Sequence, residues 1–255
     1  MDSYCRPQIT CKNIQYVPAM LKSGNNDIFL FMETVFRKVA RRIKSIFAPR
    51  ERRRYEYLKK FAKSLKARRI MEVGTNTGRS ALEMIKAAQL SAPHPEDVSY
   101  FGFDLFEMMN ETIHKKEVSK FTEPMAEVQR RLGATGAKIS LFRGFSKDTL
   151  PEAVKALPAM DLIFIDGGHT AETTALDWEH CRKLMHEKTV VIFDDYWPLG
   201  FNGDMTLGCN KVLETIDSGL YDVSILPVHD LCKHDWGILR INFVKVTKKP
   251  SSSRR

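Results

Sequence analysis

The apolar positions change period near Arg69. Before it they recur at spacings of three and four, the signature of an amphipathic helix. Ile28, Met32, Val35, Phe36, Val39, Ile43 and Phe47 form one such stripe, with Asn26 and Asp27 as caps and Pro49 as its stop. The spacing predicts a second helix over 50–67. Tyr55, Leu58, Phe61, Ala62 and Leu65 share one face, and Arg52, Arg53, Lys59, Lys60, Lys63 and Lys66 the other. After Arg69, short β-rich runs alternate with helical stretches. Strands are expected at 70–73, 98–103, 138–142, 162–165 and 190–193. Helices are expected at 80–90, 121–132, 147–157, 171–185 and 208–216. The last two strands, near 221–226 and 236–246, have no long helix between them, so an antiparallel hairpin is expected there. The pattern predicts an α/β fold: a doubly wound, mostly parallel sheet of seven strands with a C-terminal antiparallel strand, preceded by N-terminal helices.

Composition adds bounds. With 255 residues and 43% hydrophobic content, the chain can bury a core without a disulfide or metal staple. No run approaches the about 18 apolar residues of a membrane span, and the polar first 25 residues do not read as a signal peptide. Five cysteines without a C-x-x-C spacing argue against a disulfide framework or a zinc knuckle, and for reduced thiols in a cytoplasmic protein.

The net charge of +9 is unevenly placed. Residues 37–69 carry +13, residues 70–243 carry −9 and residues 244–255 carry +5. The expected organisation is an arm with basic amphipathic helices over 1–68, a domain over 69–246 and a disordered basic tail over 247–255. Three readings of the basic collar stay open: a solvated face docked on the acidic domain, a peripheral membrane contact through residues 28–66, or a gate or homodimer contact at the active site. Nucleic-acid binding fits poorly, because the collar has no aromatic stacking pattern.

Four motifs carry chemistry. Glu72-Val-Gly74-Thr75-Asn76-Thr-Gly78-Arg-Ser80 joins the first strand to its helix, where a doubly wound fold binds its ligand. Its spacing differs from G-x-G-x-x-G, so a dinucleotide pyrophosphate is not the expected guest. Such a turn is also ordinary strand-to-helix punctuation. Asp104 ends the second strand, where a carboxylate can accept both hydroxyls of a ribose or simply cap a helix. The apolar run Leu162–Ile165 ends in Asp166-Gly-Gly-His169. The run Val190–Phe193 ends in Asp194-Asp195. Adjacent parallel strands would bring Asp166, Asp194 and Asp195 together, and clustered carboxylates repel unless a cation sits among them. An all-oxygen set suits Mg²⁺ or another hard divalent cation. The alternative is that some of these acids cap helices.

These motifs together resemble the class I S-adenosylmethionine-dependent methyltransferases, with their Rossmann-like sheet. More narrowly, the chain is similar to the cation-dependent O-methyltransferases of the catechol and the sugar and macrolide types. The resemblance covers about 69–246. It implies S-adenosyl-L-methionine as cofactor, held by Glu72, Gly74, Thr75, Asn76, Gly78 and Ser80, by Asp104 at the ribose, and by Ser146 near the adenine. It implies Asp166, Asp194 and Asp195 as metal ligands, and His169 as the base that takes the proton of a small-molecule hydroxyl acceptor: a sugar, natural product or phenol. The alternatives are a metal-independent methyltransferase and a non-catalytic cofactor-binding regulator. Three departures are visible. The catechol enzymes have an Asn in place of the third acid and a lysine in place of His169. They also place a carboxylate near the start of the final strand, where this chain has Leu239, with Asp235 the nearest acid. Acceptor choice is expected from residues 1–60, from 107–123 and from the 197–205 loop.

Overall fold

The computed structural model describes residues 53–250 except Ser119 and Phe121. The helix expected over 28–47 and the last five residues lie outside the described residues. Seven strands form one sheet: β1 Arg69–Val73, β2 Ser99–Asp104, β3 Lys138–Arg143, β4 Met160–Ile165, β5 Met185–Tyr196, β6 Tyr221–His234 and β7 Gly237–Lys248. Their order is β3-β2-β1-β4-β5-β7-β6. The first five run parallel, and β7 lies antiparallel to both β5 and β6. The order reverses at β1, so the carboxyl ends of β1 and β4 open a crevice there.

Seven helices flank the sheet among the described residues: α1 Glu56–Ser64, α2 Arg79–Gln89, α3 Glu111–Glu117, α4 Met125–Gly133, α5 Ser146–Ala156, α6 Ala171–Cys181 and α7 Asn210–Thr215. The central strands are buried on both faces, and period-two alternation sorts their side chains into two cores. Ile70, Leu162, Phe164 and Ile192 pack with α1, α2 and α4 on one face. Met71, Ile163, Ile165, Val191 and Phe193 pack with α5, α6 and α7 on the other.

Three details differ from the sequence expectation. The expected 50–67 helix is a 3-10 turn, Arg53–Tyr55, followed by α1, which ends before Lys66 at φ +49. It is no separate unit from the domain. Tyr55, Leu58 and Ala62 are buried in the same core as α2, because their stripe has no other apolar surface to cover. The expected 121–132 helix starts only at Met125, as α4, since Pro124 disfavours helical backbone before it and suits a helix start, and α3 is a further helix upstream that the periodicity did not mark. Thr247 and Lys248 belong to β7 rather than to a tail, and the Lys249 N–H donates to the Leu220 carbonyl. Cys181 and Cys209 are buried free thiols. No helix among the described residues is long and apolar enough to cross a membrane.

Candidate active site

A cavity of about 370 Å³ opens at the carboxyl ends of the central strands. At one end lie Gly74, Thr75, Asn76, Ser80, Asp104 and Ser146. Gly74 has φ +93°, and a Cβ there would sit 1.8 Å from the Asp166 carbonyl oxygen. Only glycine lets the β1 and β4 ends approach this closely. The Asp166 N–H donates to the Val73 carbonyl at 2.8 Å and locks the approach. Asp104 accepts from the Asn76 N–H at 2.6 Å and from the Phe106 N–H at 2.9 Å, one bond to each oxygen. A lone pair on each oxygen remains for a diol. Burial raises its pKa above the usual carboxylate value. Glu72 and Gly78 do not line the cavity. Glu72 is buried beneath the loop and accepts from the Tyr100 hydroxyl, whose oxygen also lies 3.2 Å from Thr75 Oγ1. Gly78 sits at the start of α2 with φ +70°.

The acidic end is organised by a break in β5. Its register against β7 shifts between Phe193 and Tyr196, and Asp195 has φ +54°. Such a bulge re-aims the side chains on it. Asp194 and Asp195 thus take different partners. Asp194 is held by Arg54, whose Nε donates to Oδ1 at 3.0 Å and whose NH2 donates to Oδ2 at 3.0 Å. The same guanidinium donates through NH1 to Asp230 Oδ2 at 2.7 Å. Asp194 also accepts from its neighbour's N–H at 2.6 Å and from the Tyr55 hydroxyl at 2.8 Å. Arg54, Asp194 and Asp230 are all buried. Arg54 lies 4.9 Å over the Tyr55 ring and 5.3 Å over that of Phe243.

Asp166, His169 and Asp195 face one another on the other side. Each offers one ligand atom within 4.8 Å of the other two. The His169 Nδ1 lies 3.0 Å from the Val118 carbonyl and its Nε2 lies 2.7 Å from Asp195 Oδ2. Burial disfavours the charged ring, but the Asp195 carboxylate outweighs it and holds the His169 pKa above its ordinary value. Burial pushes Asp195 upward, and the His169 ring overrides it to leave Asp195 at about 2. Burial, then the charges of Asp194 and Asp195, raise Asp166 well above the usual range.

The structure therefore groups the expected residues differently. The three carboxylates do not form one set, because Asp194 is engaged by an arginine and His169 stands in its place. His169 lines the cavity, with both ring nitrogens facing oxygens: Nδ1 the Val118 carbonyl and Nε2 the Asp195 carboxylate. Asp235 is exposed in the β6–β7 turn. The carboxylate that lines the cavity together with Leu239 is Asp230, from β6, which pairs with Ile241 of β7. Arg54, Tyr55 and Asp230 escaped the motif reading. A signal for Arg54 existed: at four residues before Leu58 it falls on the apolar stripe of its own helix, where a charge requires a buried partner.

The chain matches the methyltransferase domain family over residues 71–196. No curated protein matches it by sequence. Among solved structures, an O-methyltransferase from Bacillus cereus in complex with SAH is 16% identical over 92% of this chain and 96% of that one, with a TM-score of 0.54. The SAH-bound methyltransferase PaMTH1 of Podospora anserina is 14% identical over 92% and 100%, at 0.53. TomG, an O-methyltransferase of Streptomyces achromogenes solved with SAM, is 17% identical over 77% and 79%, at 0.52. These three likenesses carry the fold, and the domain match falls on the strands that build the cavity. By that match and that sheet, residues 71–196 are an S-adenosylmethionine-dependent methyltransferase domain.

Proposed function

We propose that the protein transfers the methyl group of S-adenosylmethionine to a hydroxyl of a small molecule, assisted by a divalent cation. The carrying observation is the Asp166–His169–Asp195 trio in the cavity that the glycine loop and Asp104 also line. The names of TomG and the Bacillus cereus protein as O-methyltransferases support oxygen as the acceptor atom. Trp197, Phe201, Leu239 and Ile241 also line the cavity, which favours a phenol or an apolar natural product over a free sugar.

The donor chemistry suits a cation. Asp166 and Asp195 keep lone pairs that no neighbour uses, and with Nδ1–H donated to Val118 the Nε2 lone pair would serve as a ligand once a cation replaced its contact with Asp195. Two carboxylates and an imidazole suit Mn²⁺ at least as well as Mg²⁺. When bound, the cation would make the acceptor hydroxyl more acidic. The chain's own residues do the rest. The loop from Gly74 to Ser80 and Asp104 hold the cofactor, and Trp197 and Phe201 exclude water. The acceptor oxygen bonds to the methyl carbon as the carbon–sulfur bond breaks, its proton is released, and S-adenosylhomocysteine leaves.

Calorimetry with S-adenosylmethionine, with and without Mn²⁺, tests both parts. Asp166→Ala is expected to abolish transfer while cofactor binding survives. Undiminished turnover in excess chelator would overturn the cation. It would favour a metal-independent reading, which the charge already supplied by Arg54 makes the natural second choice.

A further inference from the structure

The geometry points to Arg54 as the residue that decides which carboxylates serve the cation: its guanidinium takes Asp194 out of the ligand set. This rests on the cation reading above. Both oxygens of Asp194 are saturated. Oδ1 accepts from Arg54 Nε and from the Asp195 N–H, and Oδ2 accepts from Arg54 NH2 and from Tyr55. Four donors fill the about four lone-pair sites of a carboxylate. Asp166 has no such load; the closest donor among the described residues is the Tyr55 hydroxyl, 3.4 Å from its Oδ2. Asp195 bonds His169 through Oδ2. The clamp is built as well as charged. Arg54 is fixed from a second strand by Asp230 at 2.7 Å and is covered by the Tyr55 and Phe243 rings. A planar fork of this kind holds two carboxylates in fixed directions, which an ammonium cannot do.

Arg54 therefore acts as a built-in counter-ion that lowers the affinity of the trio for a divalent ion. Cation affinity follows the number of charged ligands, so releasing Asp194 should tighten it. The direct variant, Arg54→Met, would leave two buried carboxylates uncompensated and risks misfolding. The charge-conserving double variant Arg54→Met/Asp230→Asn removes one charge of each sign and frees Asp194.

The test titrates the full chain with Mn²⁺ and reads free Mn²⁺ by electron paramagnetic resonance, with folding checked by circular dichroism. The double variant is expected to bind Mn²⁺ about tenfold tighter than the wild type, and adding Asp194→Asn should cancel that gain. An unchanged or weaker affinity in the folded double variant would overturn the inference, as would a gain that persists in the triple. If the double variant does not fold, single variants of the wild type decide. Asp194→Asn should weaken Mn²⁺ clearly less than Asp166→Asn or Asp195→Asn, and an equal loss sinks the idea. Mn²⁺ binding by the double variant but not by the wild type supports the role of Arg54 while removing the cation from the native reaction. No binding by either overturns the inference, and S-adenosylmethionine calorimetry reports on the methyltransferase reading independently.

Discussion

At the scale of single residues, the site depends on backbone and burial as much as on functional groups. Gly74 is the sharpest case. Its positive φ and the 1.8 Å approach to the Asp166 carbonyl leave no room for a Cβ. Gly74→Ala should part the β1 and β4 ends and reduce S-adenosylmethionine affinity by about a hundredfold, measurable by calorimetry, with the fold retained by circular dichroism. Asp177, on α6 below Gly167, has no part in the motifs, yet it is wholly buried. Burial, with the Glu117 charge adding and the Ser146 hydroxyl opposing, pushes its pKa up to about 7. The unfolded carboxyl ionises near about 4, so the folded state binds the proton more tightly. Stability is then full below about pH 4, declines as the pH rises toward 7 and stays flat above it. Asp177→Asn should raise Tm at pH 8, by on the order of a few kcal/mol of stability, and raise it by only about a third as much at pH 5. Equal effects at both pH values would exclude titration of Asp177 as the cause. Glycine spacing made the Gly74 turn legible in the sequence. Asp177 looked like any exposed helix acid, because nothing local marks which side of α6 faces the β4 loop.

Among the elements, α3 stands apart. It buries none of its seven residues, so packing holds it little. Its C-terminal end holds it instead. Glu117 accepts from the Thr170 N–H, the Thr170 hydroxyl and the Thr173 hydroxyl, each at 3.1 Å. Val118, at φ +50°, turns its carbonyl to His169. Met109, Ile113 and Glu117 line the cavity, so this short helix covers the site while tied to the loop that carries His169. Glu117→Ala should speed amide hydrogen exchange across 111–117 by about tenfold while Tm moves by no more than about 2 °C. Unchanged exchange would mean that other contacts seat α3. The sequence offered a helical pattern only from 121 onward. The seven residues of α3 are too few and too polar for periodicity to mark, and the tether that orders them comes from residues some fifty positions later. The two hairpin strands were legible, but their length was not. β6 carries a register shift between Ile225 and His229, around Pro227, and continues to His234, which brings Asp230 to Arg54.

At the scale of the whole molecule, the basic collar resolves into parts, as far as it is described. Arg54 and Arg69 pair with acids of the body, whereas Lys59 pairs within α1 with Glu56. The attachment is therefore apolar with one buried ion cluster, rather than a broad attraction of opposite charges. Leu58 is 1% exposed at this junction. Leu58→Ala should cost about 2–5 kcal/mol, read as a lower urea midpoint. The sequence by itself determined the alternation of strands and helices, the glycine loop and the acids at the strand ends. Each of these is written in local periodicity or in residues a few positions apart. Tertiary structure alone decided the grouping of the acids. A bulge turns the adjacent Asp194 and Asp195 to different partners, and Arg54 reaches Asp194 across 140 positions of chain. Which carboxylate meets an arginine and which faces a histidine depends on three-dimensional direction, and no spacing along the chain encodes that.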